Sequence, residues 1–292
     1  MGYGSYTASD WSKLKSSRNL SSTQTVQEVF KSSNCNPKMN PKFIGTRECF
    51  DSSDHPNTTP IVVALDVTGS MGYLAVEVAT KALNELITKL YSTGAVEDPA
   101  LMCAAYGDYM DTAPLQVTQF ESDIRIAEQL LDIYFENKGS GQVALPCLWE
   151  FLAKHTNIDA VNKRKEKGFL FSIGDQATIR STSIPQTITR VIGDSLPSAT
   201  RDSLLKEVQE KFHVFHIMIG GEGNNDILPG YKMSISQNDI GCIPQIIISA
   251  IQLQKGEKLD RVLEQWDSVN VPVISAALKQ LNLIGVLREI CL

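Results

Sequence analysis

The sequence lacks an excess of positive charge, because its 27 Lys and Arg residues are outnumbered by 33 Asp and Glu residues, which gives a formal charge of −6. A nucleic-acid binder generally needs basic side chains that neutralise phosphates, so we expect no nucleic-acid partner. No apolar run approaches the ~18 residues that a membrane span requires, and the first residues contain no apolar stretch typical of signal peptides. We therefore expect no membrane association, and a location in the cytoplasm or in a phage particle assembled there.

Cysteine pairs at the spacing of zinc or redox motifs are also missing. The six cysteines are scattered singly, with no C-x-x-C pair, and we interpret them as free thiols in a reducing compartment. One group, Cys49 and His55 beside Asp51 and Asp54, has an irregular spacing that is more typical of a loop than of a metal site.

What the sequence does contain is an apolar run, residues 61–65, that is opened by Pro60 and ends in Asp66. A continuous run of this kind predicts a parallel strand covered on both faces. Thr68 and Ser70 follow at alternate positions, so one carboxylate and two hydroxyls come directly after the strand. Hard cations prefer oxygen ligands, and open α/β sheets bind ligands at the carboxyl ends of their strands. The stretch is a candidate Mg²⁺ or Mn²⁺ site; the alternative is simple capping of the next helix by Ser70.

The order of predicted elements indicates the fold class. Apolar runs at 61–66, 100–106, 168–173 and 212–219 predict buried strands, and the alternating run 114–120 predicts an antiparallel edge strand. Helical periodicity covers 71–91, 121–135, 142–155, 199–211 and 239–250, and residues 187–192 favour a short extra strand. This alternation predicts an α/β fold with a doubly wound, mostly parallel central sheet and helices on both faces.

The chain outside this core divides into two further parts. Residues 1–58 are polar, with sparse apolar positions that predict short docked helices, and residues 254–292 predict two amphipathic helices. We accordingly predict a polar extension over 1–58, an α/β domain over 59–253 and a helical extension over 254–292.

Two other predicted strands also end in acidic residues. Asp108 and Asp111 follow the second strand, and Asp175 follows the strand over 168–173. Since parallel strands end at one edge of the sheet, these carboxylates should lie near Asp66. Asp108 would support the ion's ligands through hydrogen bonds, and Gly107 and Asp111 would face a partner. The alternative is that Asp108 and Asp111 only accept backbone hydrogen bonds in a turn.

The stretch from Asp66 to Ser70 resembles the D-x-[ST]-x-S motif that begins the metal-ion-dependent adhesion site of von Willebrand factor A (VWA) domains. The resemblance implies a Rossmann-like VWA fold over about residues 58–253. It also implies one divalent ion held by Asp66, Thr68 and Ser70, with Asp175 completing the site through water. In that family, an Asp or Glu carboxylate of a partner protein takes the open position on the ion. The opening residues and the run 55–60 are also similar to uncharacterised bacterial and phage proteins with this domain.

The loop over 137–142 departs from the family pattern, in which a Thr supplies a further ligand. This chain has no Thr there, so Ser140 or Gln142 would supply the oxygen, and Gly141 would let a partner come close.

The resemblance implies a non-enzymatic, ion-dependent protein-binding module. One alternative is a structural or regulatory subunit, such as a phage virion component or the partner of a MoxR-type ATPase, with a vestigial ion site. A third is a phosphohydrolase of the haloacid dehalogenase type. Asp66 would fit its nucleophile, but Thr68 stands where its general acid is needed.

Overall fold

A computed structural model describes residues 4–136, 139, 141–220 and 230–281. Ser140, residues 221–226 of the polar loop after the last predicted strand, and the end of the last predicted helix lie outside the described residues. The strands are β1 (Arg47–Cys49), β2 (Thr58–Asp66), β3 (Asp98–Tyr106), β4 (Leu115–Val117), β5 (Gln142–Val143), β6 (Thr156–Ile158), β7 (Gly168–Gly174), β8 (Ala177–Thr178), β9 (Phe212–Ile219) and β10 (Lys232–Ile235).

Six of these strands form the main sheet in the order β10-β9-β7-β2-β3-β4. All neighbours are parallel except β3 and β4, which are antiparallel, so β4 is the predicted antiparallel edge strand. Two small parallel pairs, β1 with β6 and β5 with β8, lie outside this sheet. The strand order confirms the predicted mostly parallel α/β sheet.

Helices cover both faces of the sheet, as predicted. They are α1 (Ala8–Arg18), α2 (Val26–Val29), α3 (Gly72–Glu77), α4 (Leu83–Thr93), α5 (Arg125–Leu131), α6 (Leu145–Lys154), α7 (Ile184–Val191), α8 (Arg201–Val208), α9 (Ile243–Gln254), α10 (Leu259–Glu264) and α11 (Val271–Leu278). Ile61, Val63 and Leu65 of β2 face one core, to which α1–α5 and α9–α11 contribute, while Val62 and Ala64 face a second core formed with α6–α8. None of the helices in the described part of the chain is long and apolar enough to cross a membrane.

The polar N-terminal part is ordered by packing on the sheet domain. Trp11, Leu14 and Phe30 are buried in the first core, and α1 and α2 are the short docked helices that the sequence predicts. Arg164 fixes the end of this part, since its guanidinium pairs with Asp51 and donates a hydrogen bond to the carbonyl of Thr58 at 2.7 Å. At the other end, α10 and α11 confirm the helical stretches after residue 254, and the three-part division of the chain stays a prediction.

Two sequence predictions about local structure were wrong. Residues 187–192 were expected to form a strand, but they belong to α7, because Ile184, Thr187, Ile188 and Val191 recur at helical spacing and bury one face. The helix expected from residue 142 begins only at Leu145, with Pro146 in its first turn, and Gln142 and Val143 pair with β8 instead.

The helix predicted over 71–91 is interrupted. A 3₁₀ turn (Gly69–Met71) leads into α3, a π-helical segment (Val78–Ala82) follows, and α4 continues to Thr93. The hydroxyl of Thr80 donates to the carbonyl of Val76 at 2.7 Å, which satisfies a backbone acceptor within this wider turn. The apolar stripe remains continuous because the buried face is kept across the π segment.

Strand register brings the three acidic strand ends to one edge. Asp66 is opposite Tyr106 of β3, and its neighbour Leu65 is opposite Ile173 of β7. The loops that follow β2, β3 and β7 therefore start side by side.

Candidate metal centre

Asp66 is the buried end of the candidate site, and its side chain is 0% exposed. Its Oδ1 accepts hydrogen bonds from the backbone N–H of Thr68 at 2.9 Å and from the Thr68 hydroxyl at 2.6 Å. This is the local turn that an Asp forms with the residue two positions on. Its Oδ2 is equally buried, and among the described residues it has no hydrogen-bond partner of normal geometry. One carboxylate oxygen is thus left for a ligand.

The charge of Asp66 is not balanced by a basic side chain in the described part of the chain. Burial raises the pKa of this carboxyl to about 7, and the negative charge of Asp175 adds to the rise, while hydrogen bonding from Thr68 and from the backbone N–H of Asp175 only partly offsets it. Neither Asp66 nor Asp175 forms an ion pair with a Lys, Arg or His side chain of the described chain. A bound cation would supply the missing positive charge.

A continuous path of oxygen atoms leads from Asp66 to the surface. The Thr68 and Ser70 hydroxyl oxygens are 3.4 Å apart, and the Ser70 hydroxyl donates to Asp175 Oδ1 at 3.2 Å. Thr68 is buried, whereas Ser70 is exposed and Asp175 is partly exposed. The four side chains that the sequence assigns to the ion are therefore brought together, with their outer end open to solvent.

Tyr106 and Gly174 form the floor beneath Asp66. The Tyr106 hydroxyl donates to the carbonyl of Ile173 at 2.9 Å, and burial together with Asp66 and Asp175 raises the pKa of this phenol well above its usual value. A Cβ at Gly174 would lie 2.7 Å from Asp66 Cβ and 2.8 Å from the Tyr106 hydroxyl oxygen. Only a glycine lets β7 approach the carboxylate this closely.

We expect Gly174→Ala to destabilise the protein by about 1–3 kcal/mol, the usual cost of forcing an extra methyl into a packed site. Gly45→Ala is the matched control, since a Cβ there meets no atom within 4 Å. Urea unfolding of the two variants measures the difference. Equal stability would show that the Asp66 carboxylate and Tyr106 shift freely.

The loop after α5 reaches the site through its glycines. A Cβ on Gly139 would lie 3.8 Å from Thr68 Cβ, and one on Gly141, whose φ is +87°, would lie 3.7 Å from Gln176 Oε1. The side-chain oxygen of Gln142 accepts from the backbone N–H of Arg180 at 3.4 Å. Gln142 therefore contacts the neighbouring loop, and Ser140 lies outside the described residues.

Gln176 is the site residue that the sequence analysis missed. Its side-chain N–H donates to the Ser70 hydroxyl at 3.3 Å. The available signal was its position directly after Asp175, at the end of the same buried strand. Gln176 thus places an amide beside Ser70, and the ion-ligand role expected for Gln142 stays a prediction.

The loop after β3 forms a tight turn beside the site. Asp111 Oδ2 accepts from the backbone N–H of Asp108 at 3.0 Å, and Asp108 Oδ1 accepts from that of Met110 at 2.8 Å. Gly107 is needed here, because a Cβ would lie 2.6 Å from Asp111 Oδ2. These bonds fit the turn interpretation of the two carboxylates, and the roles of Asp108, Asp111 and Gly107 toward an ion or a partner stay predictions.

The donor set fits a hard divalent cation that takes oxygen ligands. The described residues contain no cluster of three or more His, Cys, Asp or Glu side chains able to hold a metal ion. An ion at this edge of the sheet would therefore depend on the hydroxyls of Thr68 and Ser70 as much as on the carboxylates of Asp66 and Asp175.

No protein-family model matches the chain, and no curated protein matches it. Solved structures that are similar to it include proximal thread matrix protein 1 from the mussel byssus, at 13% identity and a TM-score of 0.44, covering 70% of this chain and 49% of that one. The open form of the pilus adhesin SpaC from Lactobacillus rhamnosus GG matches at 10% identity and 0.45, covering 71% and 31%.

The manganese-loaded TRAP protein of Plasmodium vivax matches at 15% identity and a TM-score of 0.37, covering 64% of this chain and 72% of that one. The chain spans half or less of the length of the mussel protein and the adhesin. With TM-scores below 0.5, these likenesses carry no argument about function, and the fold assignment depends on the strand order of the sheet itself.

Proposed function

We propose that this chain is a non-enzymatic protein-binding module whose binding depends on one divalent ion, Mg²⁺ or Mn²⁺. The ion would be held by Asp66, Thr68 and Ser70, with Asp175 beside them. When bound, it supplies an electrophilic centre for an Asp or Glu carboxylate of a partner protein. This is the function implied by the resemblance to VWA domains.

The observation that carries the proposal is the state of the Asp66 carboxylate. It is fully buried, one of its oxygens has no partner, and no side chain of the described residues balances its charge. A buried charge in this situation is costly unless a counter-ion is present. The oxygen path through Thr68 and Ser70 leads from that carboxylate to solvent, so an ion and then a partner could reach it.

The residues at the buried end and at the exposed end of the site would have different roles. Thr68 fixes Asp66 Oδ1, and this orients the free Oδ2. Gln176 and Asp175 both bond to Ser70 and so orient the hydroxyl at the exposed end. Met110 is 70% exposed in the neighbouring turn and offers an apolar contact for a partner.

The bridging role is tested by water-proton relaxation of the Mn²⁺-loaded protein. Exchangeable water on the ion should increase the relaxation rate of the water protons. Added acetate should lower this increase in a saturable manner, because a carboxylate displaces that water. Acetamide, which has the same shape without the charge, should have a much weaker effect. An equal response to acetate and acetamide, or to neither, would contradict a carboxylate bridge.

Gln176 and Gln142 provide a matched pair for the second step of the proposal. Gln176→Leu should weaken ion affinity about tenfold, as loss of a group that orients a ligand commonly does. Gln142→Leu removes the same atoms from a side chain that contacts Arg180, and it should leave the affinity unchanged. Calorimetric titration with Mn²⁺ compares the ion affinities of the two variants. A larger loss of affinity in Gln142→Leu than in Gln176→Leu would instead indicate that Gln142 is the amide that supports the ion.

One alternative function has a specific observation in its favour. Asp66 Oδ1 already accepts two hydrogen bonds within its own loop, so the loop is held without any ion. A structural or regulatory subunit with a vestigial site would look the same, and the absence of ion binding would support it. Phosphohydrolase activity is disfavoured, because Thr68 stands at the position where that reaction needs a general acid.

A further inference from the structure

A second cavity lies at the opposite end of the sheet from the candidate metal centre. It has a volume of about 450 Å³ and is lined by residues near the amino ends of three strands, Thr59 of β2, Phe169 of β7 and His213 of β9. Thr59 and Asp66 are both on β2, seven residues apart, which corresponds to roughly 23 Å along a strand. A ligand in this cavity would not contact the metal centre.

Three lysines line the cavity. Lys165, Lys167 and Lys255 line it, and none of them forms an ion pair with a carboxylate of the described residues. The acidic lining residue, Glu166, is bonded to the guanidinium of Arg164 at 3.0 Å. In a chain with a formal charge of −6, this concave positive surface favours an anion.

Two of the lysines are held in place by the backbone. Lys255 Nζ donates to the carbonyl of Ala95 at 3.0 Å, and Lys165 Nζ donates to that of Asn162 at 3.0 Å. Lys165 also has a left-handed backbone with φ of +61°, which is uncommon for a residue other than glycine. Lys165 is the C-terminal cap of the π-helical segment (Ala160–Arg164), where a left-handed residue is common, and its backbone N–H donates to the carbonyl of Ala160, so this turn holds Lys165 at the cavity wall.

A pair of rings forms another part of the wall. The Phe169 and His213 rings have centroids 5.4 Å apart and an interplanar angle of 35°. Burial, with Lys167 nearby, lowers the pKa of His213 to about 4, so the imidazole is neutral at pH 7. The rings therefore give an uncharged surface on which a flat group can pack.

We propose that this cavity binds a small phosphate ester whose organic part carries a flat ring, with the phosphate at the lysines and the ring beside Phe169 and His213. The volume is within the range that holds compounds of this size. Ammonium groups with free donors suit a phosphate dianion, because charge-assisted hydrogen bonds are the strong ones. Neither the metal centre nor its partner is needed for this binding.

The test uses the full chain in EDTA-containing buffer and isothermal titration with adenosine monophosphate, adenosine and inorganic phosphate as probes. Adenosine monophosphate should bind at one site and more tightly than either fragment. Lys167→Gln should weaken it about tenfold, in line with loss of one hydrogen bond to a charged group. Lys206→Gln is the control, because it removes the same charge from an exposed site on α8 outside the cavity.

A second variant tests the ring contact. His213→Leu should weaken adenosine monophosphate but not inorganic phosphate, and Asp66→Asn should change neither. The proposal is overturned if no probe binds saturably, if Lys206→Gln weakens binding as much as Lys167→Gln, or if adenosine monophosphate binds no better than its fragments.

Discussion

Asp66→Asn is expected to make the ion-free protein more stable at pH 8 while it abolishes divalent-ion binding. The carboxylate is fully buried and has an oxygen without a partner, so its charge costs free energy in the folded state. Asparagine keeps the shape and an acceptor for the two Thr68 hydrogen bonds but carries no charge. A stability gain together with a loss of binding is expected when a residue serves ligand binding at a cost to the stability of the folded protein.

The size and pH dependence of the gain follow from the pKa of Asp66. Its value in the folded protein, about 7, is above its ordinary value of 3.8, so the folded state binds the proton more tightly than the unfolded state. The stabilisation that comes from this proton on Asp66 is complete below about pH 4, and it is lost as the pH rises through 7. A shift of roughly three pKa units corresponds to at most about 4 kcal/mol.

Urea unfolding of the EDTA-treated proteins at pH 5 and pH 8 measures this prediction. Wild type should be less stable at pH 8 than Asp66→Asn, and the difference should shrink at pH 5. Asp54→Asn is the control, because Asp54 is exposed and away from the site. If Asp66→Asn were less stable than wild type at both pH values, the carboxylate would be a supporting hydrogen-bond acceptor rather than a destabilising charge.

Saturating Mg²⁺ or Mn²⁺ is expected to offset most of that stability difference at pH 8. An ion that binds only the folded state adds about 2.7 kcal/mol of stability at a concentration of 100 times its dissociation constant. Wild type should gain this amount and lose it on addition of EDTA, whereas Asp66→Asn should not respond. Thermal unfolding with and without the ion measures the effect. An equal response from both proteins would indicate binding elsewhere.

The sequence predicted the sheet well because its strands are buried on both faces. The run that ends at Asp66 is continuously apolar, as a central parallel strand must be, and the short alternating segment around β4 showed the edge. Alternation of the elements then predicted a doubly wound, mostly parallel sheet, and the acidic strand ends predicted that their carboxylates would meet at one edge. The ion's candidate ligands Asp66, Thr68, Ser70 and Asp175 came together for that reason.

The wrong or missing predictions concern places where local propensity and tertiary packing favour different structures. Residues 187–192 are rich in β-branched side chains and resemble a strand, but packing on α6 selects helix α7. The π segment in the helix after the site leaves the apolar periodicity intact, so no pattern reveals it. Gln176 and Gln142 cannot be told apart from sequence, because the small β5–β8 pairing decides which amide faces Ser70.

Calorimetric titration of the EDTA-stripped protein with Mn²⁺ at pH 8, with wild type beside Asp66→Asn, tests the ion site most directly. We expect one Mn²⁺ per chain for wild type and no measurable binding for the variant, which should keep a cooperative unfolding transition. Binding of Mn²⁺ to the variant with the affinity of wild type, or no binding to wild type, would contradict an ion site at Asp66.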